Sequence, residues 1–123
     1  MVDDSRAFSS YSVDDVEAAR AFYEETLGLN VTPQPQGLGI SLATGGSVFL
    51  YPKDNHQPAT FTVLNFMVDD IGAAVDELTG KGITMARYDG FDQDERGIAA
   101  GTGGPHIAWF TDPAGNVLSV TQA

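Results

Sequence analysis

The chain contains no cysteine. That excludes a disulfide framework, a thiolate metal site and a cysteine nucleophile, and it suits a reducing, cytoplasmic setting. Basic residues are scarce: 6 stand against 17 acids, for a formal net charge of -11. The phosphate backbone of a nucleic acid and an anionic membrane surface are therefore not expected partners. A cationic ligand would be drawn by the same field, although acids also confer solubility and favour helix N-termini. No apolar run approaches the roughly 20 residues that a membrane span needs. The opening stretch carries two acids and no apolar core, so it does not read as a signal peptide. There is no G-x-G-x-x-G, no P-loop, no G-x-S-x-G elbow and no basic stretch. The glycine cluster Gly101-Thr102-Gly103-Gly104 is followed by Pro105 and a strand-like run, not by a helix, so a phosphate cradle is not expected there.

What the chain does contain is an internal repeat. Val13-Asp14-Asp15-Val16-Glu17-Ala18-Ala19 matches Val68-Asp69-Asp70-Ile71-Gly72-Ala73-Ala74. Tyr11 aligns with Phe66, Tyr23 with Leu78, and Gly28 with Gly82 after a one-residue slip. Two copies of this length in 123 residues indicate duplication inside one domain, with halves at about 7–53 and 61–123; a solenoid needs at least three units.

Each copy follows one grammar. A strand comes first, Ala7 to Val13 and Thr62 to Val68. Alternation puts Phe8, Ser10 and Ser12 on one face of the first strand and Tyr11 and Val13 on the other. In the second strand Val63, Asn65 and Met67 oppose Leu64, Phe66 and Val68. The aspartate pair then offers an N-cap and a negative first turn. Helical spacing follows in Val16, Ala19, Phe22, Tyr23 and Leu27, and in Ile71, Ala74, Val75 and Leu78. Further strands are expected at Leu38 to Leu42 and Ser47 to Tyr51 around Gly45-Gly46, and at Ile83 to Tyr88, His106 to Thr111 and Val117 to Thr121. Asp112-Pro113-Ala114-Gly115-Asn116 is a turn, since proline fixes one dihedral and glycine permits a positive one. Residues 89–105 read as a long loop. Each helix must bury its apolar face on its own sheet, which frees the opposite face to line a small-molecule cup.

The two strand-Val-Asp-Asp-helix copies, Phe22-Tyr23 followed by Leu27-Gly28, and the Asp112-to-Asn116 turn resemble the vicinal oxygen chelate superfamily of glyoxalases, bleomycin-resistance proteins and extradiol dioxygenases. The resemblance spans nearly the whole chain. It implies an α+β fold of two βαβββ modules forming a cupped mixed sheet with helices on the outer face, commonly in a homodimer. Metal-dependent members supply a histidine from the first strand of each half and a glutamate from a late strand of each half. The matching positions here hold Phe8, Val63 and Ser119, with Phe49 or Tyr51 at the remaining one. A divalent metal needs imidazole, carboxylate or thiolate donors at about 2 Å. Phenylalanine and valine donate nothing, and a neutral serine hydroxyl is a weak ligand. The expectation is a site with no metal and no cofactor.

Other residues admit two readings each. His56 is a solvated loop residue or a cup-rim residue that reaches ligand. His106, at a strand start beside the long loop, is a structural edge residue or a general acid or base. Tyr88, Phe91, Asp92, Glu95 and Arg96 form a solvated loop or a lid, with the aromatics covering a ligand and the charges pairing with it. Trp109 is core packing or an aromatic wall. The ligand-lining set is thus Phe8, Ser10, Ser12, Phe49, Tyr51, Val63, Asn65, Met67, Tyr88, Phe91, Trp109 and Ser119. Two functions remain open. One is metal-free binding of a small organic molecule, for sequestration or resistance. The other is a metal-independent lyase or isomerase using His106, Tyr51 or a loop acid. A non-catalytic regulatory domain is a third, plainer possibility.

Overall fold

Asp15 and Asp70, the second aspartates of the two repeats, cap the two helices in the same way. The carboxylate of Asp15 accepts from the Ala18 amide at 3.0 Å, and that of Asp70 accepts from the Ala73 amide at 3.1 Å. Both cap residues are extended, with φ near -135°, which is the geometry that lets a side chain fold back onto the first turn. The repeat seen in sequence is therefore a repeat of backbone geometry. The computed structural model describes residues 2–101 and 103–123. Thr102 of the glycine cluster lies outside the described residues.

The chain divides into two compact units, Met1–Pro58 and Ala59–Ala123. In the first, a short 3₁₀ turn, Asp4–Arg6, precedes β1 (Ser9–Val13), α1 (Val16–Arg20), β2 (Asn30–Gln34), β3 (Gly37–Ser41) and β4 (Ser47–Pro52). In the second, β5 (Thr62–Met67), α2 (Ile71–Gly80), β6 (Ala99–Ala100), β7 (His106–Thr111) and β8 (Val117–Gln122) follow in the same sense. The sheets are ordered β1-β4-β3-β2 and β5-β8-β7-β6. The first strand of each unit lies parallel to the last, and the other pairings are antiparallel. Each unit is a βαβββ module with a mixed sheet, as the family resemblance implied.

One face of each sheet is dry. Tyr11, Val13, Leu38, Ile40, Val48 and Leu50 are buried in the first unit beside Ala19 and Tyr23 of the helical segment. In the second, Leu118, Val120, Phe110 and Ala108 are buried with Ile71, Val75 and Leu78 of α2. Tyr23 is wholly buried, and its hydroxyl lies 2.8 Å from that of Tyr11. The helix widens to reach it: Ala21–Thr26 is a π-helical turn, with the Leu27 amide bonded to the Phe22 carbonyl at 2.9 Å. Inserting one residue per turn re-aims neighbouring side chains, and here it accompanies the complete burial of an aromatic ring. Gly28 and Gly82, the aligned glycines, both end these segments at positive φ, 73° and 91°, a conformation that costs a side-chain-bearing residue but not glycine.

Three expectations change. The strand expected at Ile83 to Tyr88 is not formed. The Ala86 amide reaches the Trp109 carbonyl at 2.8 Å, but the next ladder bonds are replaced: the Tyr88 amide donates to the Gln93 side chain at 2.8 Å. The short pair Ala99–Ala100 lies beside β7 instead. The first unit also contains a strand that was not expected, β2, at the sheet edge. Its Pro33 obscures the strand pattern in sequence, yet an edge strand tolerates a residue with no amide to donate. Finally, β1 begins at Ser9, so Phe8 stands just before it and is 63% exposed. Among the described residues no helix is long and apolar enough to cross a membrane.

Candidate functional site

The faces opposite the helices carry the residues singled out from sequence. In the first unit, strand register aligns Ser10 with Phe49 and Ser12 with Tyr51. Phe49 is further paired with Gly39, and Gly39 with Thr32. One row across the sheet therefore reads Ser10, Phe49, Gly39, Thr32. Residues side by side in register share a face, so these four look the same way. The rings of Phe49 and Tyr51 stack at 6.3 Å and 20°. A cavity of about 510 Å³ opens on this face, lined by Phe8, Phe49, Thr32, Gln34, Ser41 and Ser47 among others.

Two residues brought together here were not paired in sequence. Ser12 Oγ lies 2.6 Å from Nδ1 of His56, and both are half-buried. The loop after β4 is folded back to allow it: the Lys53 amide bonds the Val13 carbonyl at 3.0 Å, and the His56 amide bonds the Lys53 carbonyl at 3.0 Å. His56 thus belongs to the strand face and is no free loop residue. His106, by contrast, is exposed at the start of β7, opposite Gln122 and Ala100.

In the second unit the corresponding row is Asn65, Ser119, Trp109. Ser119 is completely buried; its hydroxyl donates to Oδ1 of Asn65 at 2.5 Å and lies 3.1 Å from the Thr121 hydroxyl. Met67 follows on the same face, paired with Thr121, and is 67% exposed. Val63 falls at an irregularity between Thr62 and Leu64, where the strand takes an extra residue. Trp109 is covered by two rings of the 83–98 segment, Phe91 at 4.8 Å and Tyr88 edge-on at 5.6 Å.

That segment is braced from within. The Gln93 carboxamide spans it, accepting from the Tyr88 amide and donating to the Ala86 and Gly97 carbonyls at 3.0 and 2.8 Å. Arg87 donates to the Asp94 and Glu95 carbonyls at 2.7 and 2.9 Å. The Asp94 carboxylate accepts from the Arg96 and Ile98 amides, both at 2.9 Å. The Arg96 guanidinium pairs with Asp76 of α2 at 2.9 and 3.1 Å. The hydrogen bond to Asp76 holds Arg96 above its ordinary range. Arg96 is engaged by the protein itself and is not a free anion partner. Phe91 and Asp92 are exposed at the tip.

The metal positions implied by the resemblance hold Phe8, Val63, Ser119 and Phe49 or Tyr51. The donor set does not fit a divalent ion. Two positions offer hydrocarbon only, and the buried serine hydroxyl already donates to Asn65. No cluster of three His, Cys, Asp or Glu that could hold a metal occurs among the described residues.

Residues 8–120 match the family model described as Glyoxalase/Bleomycin resistance protein/Dioxygenase superfamily. The chain belongs to that superfamily. Solved members share the fold at low identity. A glyoxalase family protein from Enterococcus faecalis is 20% identical with a TM-score of 0.69, covering 93% of this chain and 94% of that one. A glyoxalase/bleomycin resistance protein from Catenulispora acidiphila is 19% identical with a TM-score of 0.66, covering 96% and 97%. TnmS3, described as an antibiotic binding protein from Streptomyces sp. CB03234, is 24% identical with a TM-score of 0.65, covering 94% of each chain. No curated protein matches. Within this superfamily the fold hosts many chemistries, so function rests on the site. Thr32 and Gln34 were not legible as site residues, because Pro33 hid the strand that carries them; Gly39, Ser41 and Ser47 lie on expected strands, but only the strand register brings them onto the face of Phe49 beside Thr32.

Proposed function

We propose that this superfamily member binds a small organic molecule on the strand faces opposite its helices, without a metal ion. The observation that carries the reading is the cavity of about 510 Å³ on the first unit's sheet. Its volume lies within the range of ligand pockets, roughly 300 to 1,000 Å³, and such pockets are mainly apolar with a few placed polar groups. Phe8 and Phe49 supply aromatic surface; Thr32, Gln34, Ser41 and Ser47 supply donors and acceptors. In the second unit, the Asn65–Ser119–Trp109 row with Phe91 and Tyr88 offers a further aromatic and polar surface of the same character. That a structurally similar protein is described as antibiotic-binding supports sequestration or resistance as the purpose. The resemblance adds a homodimer and a cytoplasmic setting to this reading.

A thermal-shift screen of aromatic natural products, run with a chelator present, tests it. Binding that raises Tm in chelator and disappears in Phe49→Ala supports the proposal. A screen in which binding appears only after a metal is added would sink the metal-free part of it.

One observation favours a second reading. A serine hydroxyl and an imidazole in hydrogen-bond contact form the elementary unit of acid–base and nucleophilic chemistry, and Ser12 and His56 stand in that relation beside Tyr51. Under this reading the protein is a metal-independent lyase or isomerase and His56, more than His106 or a loop acid, is the proton-transfer group. Turnover of a discovered substrate that survives His56→Gln at the wild-type rate excludes it.

A further inference from the structure

The net charge of -11 suggests a cationic ligand, but the charge is not where the cavity is. Among the described residues, no Asp, Glu, Lys or Arg falls within strands β1 to β8. The acids sit on the helices, their caps and the connecting segments, as with Asp15, Glu17, Asp70 and Asp76. The lining of the cavity is uncharged throughout. A ligand carrying a full charge would lose hydration on entry and meet no opposite charge, which is costly in a partly desolvated site.

Within the cavity one group stands out. Gly39 occupies the middle of the row between Phe49 and Thr32. A β-carbon there would overlap Nε2 of Gln34 and come within 3.2 Å of its Cδ. The missing side chain is what lets the Gln34 carboxamide lie over the strand backbone, in a cavity that Phe49 also lines. A carboxamide offers two donors and an acceptor in one plane. Together with an aromatic ring, it matches a planar group that carries a donor and an acceptor side by side.

Resting on the binding reading above, we infer that the cavity takes an uncharged planar ligand with adjacent donor and acceptor groups, such as an amide or imide, selected by Gln34 over Gly39. The acidic surface serves solubility and long-range repulsion of anions, not ligand recognition. Salt screens interactions between charges, and an uncharged ligand has none with the exposed carboxylates, so its affinity is insensitive to ionic strength.

Three fluorescent probes that share the dansyl ring and a sulfonamide N–H and differ in the charge of the substituent test this: dansylamide (neutral), dansylglycine (anionic) and dansylcadaverine (cationic). The expected result is tightest binding of dansylamide, with a Kd that changes less than about twofold up to about 0.5 M salt, where screening of exposed charges is nearly complete. Gln34→Glu, an isosteric change on an exposed strand edge, should weaken dansylamide and favour dansylcadaverine by about tenfold, because a charge-assisted bond replaces a neutral one. Gly39→Val should abolish dansylamide binding by displacing Gln34; circular dichroism confirms that each variant is folded. Salt-sensitive binding led by dansylcadaverine in the wild-type protein overturns the uncharged-ligand inference and leaves small-molecule binding intact. Failure of all three probes, together with an empty screen of neutral aromatics, overturns both.

Discussion

Ser119 donates its hydroxyl hydrogen to Oδ1 of Asn65 at 2.5 Å, joining β8 to the edge strand β5 of the second unit. Ser119 occupies the position where metal-dependent relatives are expected to place a glutamate, and it is already committed to a neutral hydrogen bond. Ser119→Ala should destabilise the protein by about 1 kcal/mol, the usual net value of one hydrogen bond, measured by urea unfolding. The same committed donor set predicts that zinc, nickel or manganese added to chelator-treated protein leaves Tm unchanged. A stoichiometric rise in Tm with any of these ions contradicts it, since a ligand that binds only the native state must stabilise it.

The helix caps separate two aspartates that sequence cannot rank. Each repeat offers an Asp-Asp pair, and in each the second residue accepts the amide three positions on. Asp15→Ala and Asp70→Ala should each cost about 1 kcal/mol by loss of an N-cap. Asp14→Ala and Asp69→Ala, at exposed positions outside the cap, should each stay within about 0.5 kcal/mol of wild type. Equal losses across all four would assign the effect to general charge and not to capping. The test is equilibrium unfolding of the four single variants at one ionic strength.

Asp112 anchors the C-terminal turn. It is 4% exposed, and its carboxylate accepts from the Ala114 and Asn116 amides at 3.0 and 2.8 Å and from the Asn116 side chain at 3.1 Å. Asn116 in turn accepts from the Ala59 amide at 3.3 Å, tying the turn to the segment before β5. The turn was legible as Asp-Pro-Ala-Gly-Asn, with Gly115 at φ 85°, but its role as a buried hub was not. Asp112→Ala should cost roughly 3 kcal/mol, because buried amides lose their acceptor. Asp112→Asn should recover part of the loss, since a carboxamide oxygen still accepts. If the alanine variant unfolds at the wild-type denaturant midpoint, the hub carries no stability.

The contrast between what could and could not be read from sequence has a physical cause in each instance. The repeat, the strand faces and the caps follow from periodicity and residue type, and Tyr11 against Ser12 sorts to opposite faces as alternation requires. β2 was hidden because Pro33 is compatible only with an edge, and edge position is a property of the sheet, not of the segment. Ile83 to Tyr88 has strand-like composition, yet Gln93 and Arg87 satisfy its surroundings from outside any ladder. The Ser12–His56 contact depends on a loop that folds back through the Val13 carbonyl, a tertiary event with no local pattern. Gln34 and Gly39 became visible as a pair only once antiparallel register placed their strands side by side.

The aromatic cover over Trp109 gives a prediction with a built-in reporter, since the chain has one tryptophan. Trp109 is 9% exposed although Phe91, which packs on it at 4.8 Å, is itself 56% exposed. Phe91 therefore shields the indole from water while facing water itself. Phe91→Ala should red-shift Trp109 emission and raise its quenching by acrylamide, with a loss of about 1 kcal/mol from the missing aromatic contact. Arg87→Ala should give a smaller shift of the same sign, because it frees the Asp94 and Glu95 carbonyls that hold the segment in place while leaving the ring present. If both variants keep the wild-type emission maximum, the shielding comes from the strands alone and the 83–98 segment is no cover. If Phe91→Ala shifts emission and also lowers affinity for an aromatic ligand, the same ring serves as shield in the free protein and as contact in the bound one.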